Sequence, residues 1–175
     1  PSRVFILTDD PVLGLAVGGA LSAREPAVAF CQPGEAFFSS DESQGRSCLI
    51  IDARLGLGLL RRIAAAGDHA PPIIAIIGYG DVRTAVRAII AGALDCVEMP
   101  FEPGLLTSSV RRALERSHEL LTHLSVRKAI ASWILTLTPR ERQVMDLILA
   151  GHPNKNIAAD LCVSQRTVES HRASI

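Results

Sequence analysis

Short apolar runs recur along the first hundred positions, and between them apolar residues fall at helical spacing. Val4-Phe5-Ile6-Leu7 is the first run, followed by Asp9-Asp10 and a helical stretch from Pro11 to Ala23. Ala27 to Cys31 predicts a second strand, Gly34 to Ser40 a short helix, and the polar stretch from Ser39 to Ser47 a loop. Cys48-Leu49-Ile50-Ile51 is a third strand that ends at Asp52. A helix from Leu57 to Ala66, a strand from Ile73 to Ile77 and a helix from Val82 to Ala91 follow, the last with Val82, Ala85, Val86 and Ile89 on one face. Asp95 to Glu98 is a fifth strand, and Glu102 to His118 a helix. Strands that are continuous apolar runs are buried on both faces. Their alternation with helices predicts an α/β domain built on a five-stranded parallel sheet.

After residue 136 the period changes and the strands stop. Thr138 suits a helix N-cap, Pro139 its first turn, and Glu141 closes a capping box back onto Thr138. Val144, Met145, Leu147 and Ile148 recur at helical spacing until Gly151. Asn154 starts a second helix, Lys155 to Leu161, and after the turn Cys162-Val163 the cap Ser164 starts a third. In that third helix Val168, His171 and Ile175 form one face, and Arg166, Glu169, Ser170 and Ala173 the other. Two short helices joined by a tight turn make a helix-turn-helix, whose second helix enters the DNA major groove.

The specific residues go further. Leu137-Thr138-Pro139-Arg140-Glu141-Arg142-Gln143-Val144, Asn154-Lys155-Asn156-Ile157-Ala158 and Ser164-Gln165-Arg166-Thr167-Val168-Glu169-Ser170-His171-Arg172 closely resemble the LuxR-type DNA-binding domain, and within it the FixJ-type response regulators. The resemblance implies DNA binding as a homodimer through the helix from Gln165. Glu169, Ser170 and Ala173 face outward near its middle and are the candidates for base edges, since Glu accepts from cytosine N4 and Ala can touch a thymine methyl. Lys155, Arg166, Thr167 and Arg172 are better placed for phosphates, which set register without carrying sequence information. The chain stops at Ile175, inside the third helix, where such domains have a fourth; it reads as C-terminally incomplete.

Composition narrows the setting. Nearly half the residues are apolar and the net charge is zero, which argues mildly against a whole-surface nucleic-acid binder. The first hundred residues are acidic on balance and the remainder slightly basic, in keeping with a regulatory part joined to a DNA-binding one. No apolar run reaches the roughly eighteen residues of a membrane span, and no signal-peptide pattern is present, so the chain reads as soluble and cytoplasmic, without a membrane partner. Cys31, Cys48, Cys96 and Cys162 are scattered without a Cys-x-x-Cys pair and read as reduced core thiols.

In open parallel sheets the carboxyl ends of the strands form the ligand crevice. Asp9 and Asp10 fall at the end of the first strand and Asp52 at the end of the third, its neighbour in a flavodoxin-like strand order. A lone Asp after a strand is usually a helix cap. Three carboxylates converging on one pocket repel one another and call for a hard divalent cation such as magnesium. Here too a family is matched. Leu7-Thr8-Asp9-Asp10, Leu49-Ile50-Ile51-Asp52, Gly78-Tyr79-Gly80-Asp81-Val82, Ala91-Gly92-Ala93-Leu94-Asp95 and Pro100-Phe101-Glu102 resemble the CheY-like receiver domain of two-component response regulators. The resemblance implies that Asp52 accepts a phosphoryl group from a sensor histidine kinase, that Asp9, Asp10 and Asp52 hold magnesium, and that the Met99-Pro100 bond is cis. Several positions depart from that family. Ile77 stands where a Thr or Ser ends strand four, Met99 where a Lys precedes the proline, and Cys96 where strand five has an aromatic switch residue. The stretch Ala53-Arg54-Leu55-Gly56 is short and lacks the usual Pro.

The expected organisation is a receiver over residues 1–117, a helical linker over 118–136 and a LuxR-type domain over 137–175. The expected function is a DNA-binding transcriptional response regulator with a non-standard switch, and not an enzyme. The alternatives are a pseudo-receiver that ignores phosphate and acts through dimerisation or a partner protein, and an Asp-nucleophile phosphotransfer enzyme. The last lacks an acid-base partner at a recognisable spacing and leaves residues 137–175 without a role.

Overall fold

The computed structural model describes residues 2–21, 26–31 and 45–175. They form two compact units, residues 1–124 and 125–175.

The first unit is built on β1 (Arg3–Leu7), β2 (Ala27–Cys31), β3 (Ser47–Asp52), β4 (Ile73–Ile77) and β5 (Asp95–Glu98). All pair in parallel in the order β2-β1-β3-β4-β5, so β1 and β3 lie side by side as expected. The helices are α1 (Pro11–Leu21), α2 (Leu57–Ala64), α3 (Val82–Ile90) and α4 (Pro103–Thr136), with one-turn 3-10 segments at Ala53–Leu55 and Gly67–His69. The expected helix at Gly34–Ser40, most of the loop from Ser39 to Ser47 and the end of the helix at Ala23 lie outside the described residues.

Successive strand residues point to opposite faces, and here both faces are packed. Val4, Ile6, Ile50, Ile74, Ile76 and Val97 meet Leu13, Val17 and Leu21 of α1 and Leu106, Val110 and Leu114 of α4. Phe5, Leu7, Leu49, Ile51 and Ile73 meet Leu60 and Ile63 of α2 and Ala88 of α3. The apolar stripe of α3 is not its buried face, however. Val82, Val86 and Ile89 are exposed, and Ala88 is the residue packed on the sheet. Small Ala88 and Ala91 allow a close approach, and Gly92 completes it. A Cβ on Gly92 would lie 2.6 Å from Ala64 Cβ, and its φ of 110° is one that other residues rarely adopt.

The helix expected at Glu102 to His118 runs further. α4 continues without a break through 118–136, so the helical linker expected there forms one 34-residue helix with the last helix of the sheet domain. The Met99-Pro100 bond is cis. Of the four cysteines, Cys48 is the core thiol expected, and burial pushes it up to about 12. Cys162 is exposed and adopts φ 53° in the turn after the second helix of the C-terminal unit, so it is no core residue.

The second unit holds the end of α4 and α5 (Pro139–Leu149), α6 (Asn154–Asp160) and α7 (Gln165–Ser174). The capping box forms as the residues predict. The Thr138 hydroxyl accepts from the Glu141 N–H, and the Glu141 carboxylate accepts from the Thr138 N–H at 2.8 Å. Val144 of α5, Ile157 and Ala158 of α6 and Val168 of α7 make the core, with Leu147, Ile148, Leu161, Val163 and Ile175 around it.

Candidate functional site

The first candidate site is a cleft of about 370 Å³ at the carboxyl ends of β1, β3, β4 and β5, lined by Asp10, Asp52, Arg54, Ile77, Gly78, Asp81, Thr84 and Met99 among others. Asp52 ends β3, and its side chain is only 2% exposed. It caps the turn that follows, with Oδ1 accepting the Arg54 N–H at 2.9 Å. Thr8, at the end of β1, donates its hydroxyl to Asp52 Oδ2 at 3.2 Å and accepts the Asp10 N–H at 3.0 Å. Asp10 in turn caps α1, with Oδ1 accepting the N–H groups of Val12 and Leu13 at 2.9 and 3.2 Å. One small hydroxyl thus ties together the two strand ends that carry the carboxylates.

The positive partner is Arg54. Its Nη2 donates to Asp52 Oδ2 at 2.7 Å and to Asp10 Oδ2 at 2.8 Å, and its Nε lies 3.0 Å from both oxygens of Asp52. The guanidinium therefore bridges the two carboxylates. Burial alone would raise the Asp52 pKa, but the bonds from Arg54 outweigh it and hold the carboxyl below its ordinary value. The Arg54 side chain and the Leu13 amide do the same for Asp10. The two carboxylates raise Arg54 in return.

The expected convergence of three carboxylates is only partly present. Asp10 and Asp52 share the cleft, whereas Asp9 is exposed and does not line it. Among the described residues no group of three His, Cys, Asp or Glu is arranged to hold a metal ion. Asp9 lies exposed in the bend after β1, whereas Asp10 caps α1 and meets Arg54, which brings only Asp10 beside Asp52. Two hard carboxylate oxygens do suit magnesium, which is often held by one or two carboxylates plus water. The position between them is taken by Arg54.

Ile77 and Met99 flank Asp52 in the same cleft. Ile77 is buried, and Met99 is half-buried against the core. Neither offers a charge or a donor to a group on Asp52. Cys96 lies in β5 outside the cleft lining, where its thiol approaches the Ala85 carbonyl at 3.6 Å. Across the mouth, Glu98 accepts a bond from the Gly80 N–H, and Asp81 caps α3 through the Thr84 N–H at 3.0 Å. Arg54 escaped the sequence reading, although a signal was present: a residue two positions after a capping Asp donates its N–H to that carboxylate, which keeps its side chain beside it.

The second candidate site is the outer surface of α7. Ser164 caps the helix by accepting the Thr167 N–H at 3.1 Å, and its hydroxyl also pairs with that of Thr167 at 2.8 Å. Val168 is fully buried, with His171 and Ile175 half-buried on the same side. Arg166, Glu169, Ser170, Arg172 and Ala173 are exposed, as is Lys155 on α6. Arg172 Nη1 donates to Asn154 Oδ1 at 2.7 Å, so its guanidinium is held against α6. α6 and α7 thus form two capped helices joined by a tight turn, with a polar face on the second.

Residues 135–175 match the family model of bacterial regulatory proteins of the luxR family. Along nearly its whole length the chain is similar to the transcriptional regulatory protein FixJ of Rhizobium meliloti (strain 1021), with 36% identity over 98% of this chain and 86% of that protein. The response regulator protein TodT of Pseudomonas putida is 31% identical over 99% of this chain and 78% of its own length. Among solved structures, full-length FixJ from B. japonicum is 32% identical, covers 98% of this chain and 86% of its own, and superposes with a TM-score of 0.59. The response regulator StyR is 28% identical, covers 99% of this chain and 89% of its own, and superposes with a TM-score of 0.79.

Proposed function

Because the chain belongs to the FixJ-type two-component response regulators, and is thus a DNA-binding transcriptional regulator with a LuxR-type domain, we propose that its input is a phosphoryl group carried by Asp52. The observation that carries this reading is the position of that carboxylate. It is buried at the end of a central strand, held below its ordinary pKa by the bonds from Arg54, and lines a cleft that also holds Asp10. An ionised carboxylate is the nucleophile such a transfer needs. The donor is a sensor histidine kinase, and the regulator works in the cytoplasm.

Magnesium, held by Asp10 and Asp52 with water, would screen the incoming phosphate from these carboxylates. A phosphoryl group adds nearly two negative charges at Asp52. Ile77 and Met99 supply neither the hydroxyl nor the ammonium that would pull β4 and β5 onto the new oxygens. Each missing charge-assisted contact removes roughly 1.5–3 kcal/mol of differential binding. Moving an equilibrium from one per cent to near completion takes about 5.5 kcal/mol, so two such losses are comparable to the whole switch. Phosphorylation therefore shifts conformation only partly, and dimerisation or a partner protein sets the rest of the output.

On the output side, the regulator binds DNA as a homodimer with α7 in the major groove. Glu169, Ser170 and Ala173 meet base edges, and Lys155, Arg166, Thr167 and Arg172 meet phosphates. The receiver corresponds to residues 1–117 and the DNA-binding domain to 137–175. The phosphoryl reading is tested by incubating the protein with acetyl phosphate and magnesium and measuring intact mass. One phosphoryl adduct, absent from Asp52→Asn, is expected. An unmodified protein, or an adduct that survives Asp52→Asn, refutes it.

A further inference from the structure

The Asp10–Asp52 pair already has a cation, and it belongs to the chain. Arg54 Nη2 sits 2.8 Å from Asp10 Oδ2 and 2.7 Å from Asp52 Oδ2, so a single nitrogen serves both of the oxygens that face each other. A magnesium ion bound to the same two oxygens would stand at about 2.0–2.1 Å from each. Nη2 already occupies the space beside those two oxygens. Two cations cannot share it, because at such a separation both sterics and Coulomb repulsion forbid it.

We propose that Arg54 is an intramolecular competitor for the divalent cation, and that metal reaches Asp10 and Asp52 only as the Arg54 guanidinium leaves them. This deepens the reading of Asp52 as a metal-assisted phospho-acceptor and rests on it.

Three features fit the role. The guanidinium is weakly anchored apart from these carboxylates: its side chain is 63% exposed, and among the described residues it bonds to no other side chain. It can therefore swing into water without breaking the core. It stands on a one-turn segment that Gly56 closes with φ 99°, so the backbone that positions it is short and defined. Its charge is also insufficient. Two carboxylates and one guanidinium sum to one negative charge, whereas a divalent cation between the same carboxylates brings the sum to zero. A divalent ion at sufficient concentration thus displaces the arginine, while at low concentration the arginine keeps the pair closed and the site metal-free.

The test uses Mn²⁺ as the probe, titrated into the full chain while free Mn²⁺ is read by electron paramagnetic resonance. Wild type, Arg54→Gln, Arg54→Lys and Asp52→Asn are compared. Arg54→Gln is expected to bind Mn²⁺ about tenfold more tightly or better, the low end for losing a charge-assisted bridge. Arg54→Lys is expected to fall between the two, since its single ammonium keeps the charge and loses the fork. An Arg54→Gln affinity within threefold of wild type overturns the competition and leaves the metal reading intact. An Arg54→Lys affinity equal to wild type assigns the effect to charge alone and overturns the bridging contact. Mn²⁺ binding that does not change with Asp52→Asn in any background overturns both the metal reading and the inference.

Discussion

Replacing Arg166 with alanine removes a guanidinium from the exposed side of α7 and leaves the Ser164 cap and the buried Val168 in place. The helix is therefore expected to survive, and the loss to be electrostatic. A phosphate contact contributes about 0.9 to the slope of log affinity against log salt on double-stranded DNA. Losing it flattens that slope by about 0.9 for each bound chain. Between about 50 and 200 mM salt, a fourfold change, the wild type should lose roughly 3.5-fold more affinity per chain than the variant. The change should be the same on every sequence. Glu169→Ala and Ser170→Ala should behave differently, because a base-edge contact discriminates by about 1–3 kcal/mol, or roughly 5- to 150-fold in preference at one position. The assay is fluorescence anisotropy with the regulator, on a DNA site selected from a random pool and on single-base variants of it, at several salt concentrations. The reasoning fails if Arg166→Ala alters base preference without changing the salt slope. It also fails if Glu169→Ala and Ser170→Ala leave preference untouched.

Three further outcomes follow from the geometry. Restoring the absent contacts with Ile77→Thr and Met99→Lys should enlarge the phosphorylation-dependent change in DNA affinity by about tenfold or more for each contact made; an unchanged response counts against the role given to these positions. The folded-state pKa of Asp52 is depressed, so its contribution to stability is fully present above the ordinary carboxylate value near about 3.9 and is lost as pH falls through the lower folded value. The difference in melting temperature between wild type and Asp52→Asn should therefore change below about pH 4 and be constant above it, and a difference that varies instead between neutral and mildly acidic pH would contradict the assignment. Ile157→Ala empties the centre of the small core formed with Val144 and Val168, at a cost of about 2–5 kcal/mol. It should abolish DNA binding while leaving acetyl phosphate labelling intact, and loss of both together would show that the two units do not fold separately.

The sheet was legible because its strands are uninterrupted apolar runs, and Cys48 to Ile51 could hardly be placed anywhere but at the centre. The capping box at Thr138 and Glu141 was equally plain, since it depends on four adjacent residues and no distant ones. The site was legible in part. Asp10 and Asp52 meet because β1 and β3 are neighbours, which the strand order supplies. Asp9 does not join them, because the chain bends there as it leaves β1 and its side chain is exposed. Arg54 was hidden because its importance comes from a distant partner. Its bond to Asp52 is local, but the bond to Asp10 spans 44 positions and exists only once the sheet has formed. The stripe on α3 shows the same dependence on packing. Periodicity says which residues share a face, and packing decides whether that face is buried; here Ala88 packs on the sheet, and Val82, Val86 and Ile89 face solvent.

The central claim is that Asp52 receives the signal and that Ile77 and Met99 let only part of it through. It is tested most directly by measuring the DNA affinity of the regulator with and without beryllofluoride in the presence of magnesium, for wild type and Asp52→Asn. The account predicts a change of roughly tenfold or less in wild type, lost in Asp52→Asn. A change of about a hundredfold or more that Asp52→Asn abolishes would contradict it, because the switch would then be complete without a hydroxyl at position 77 or a lysine at position 99.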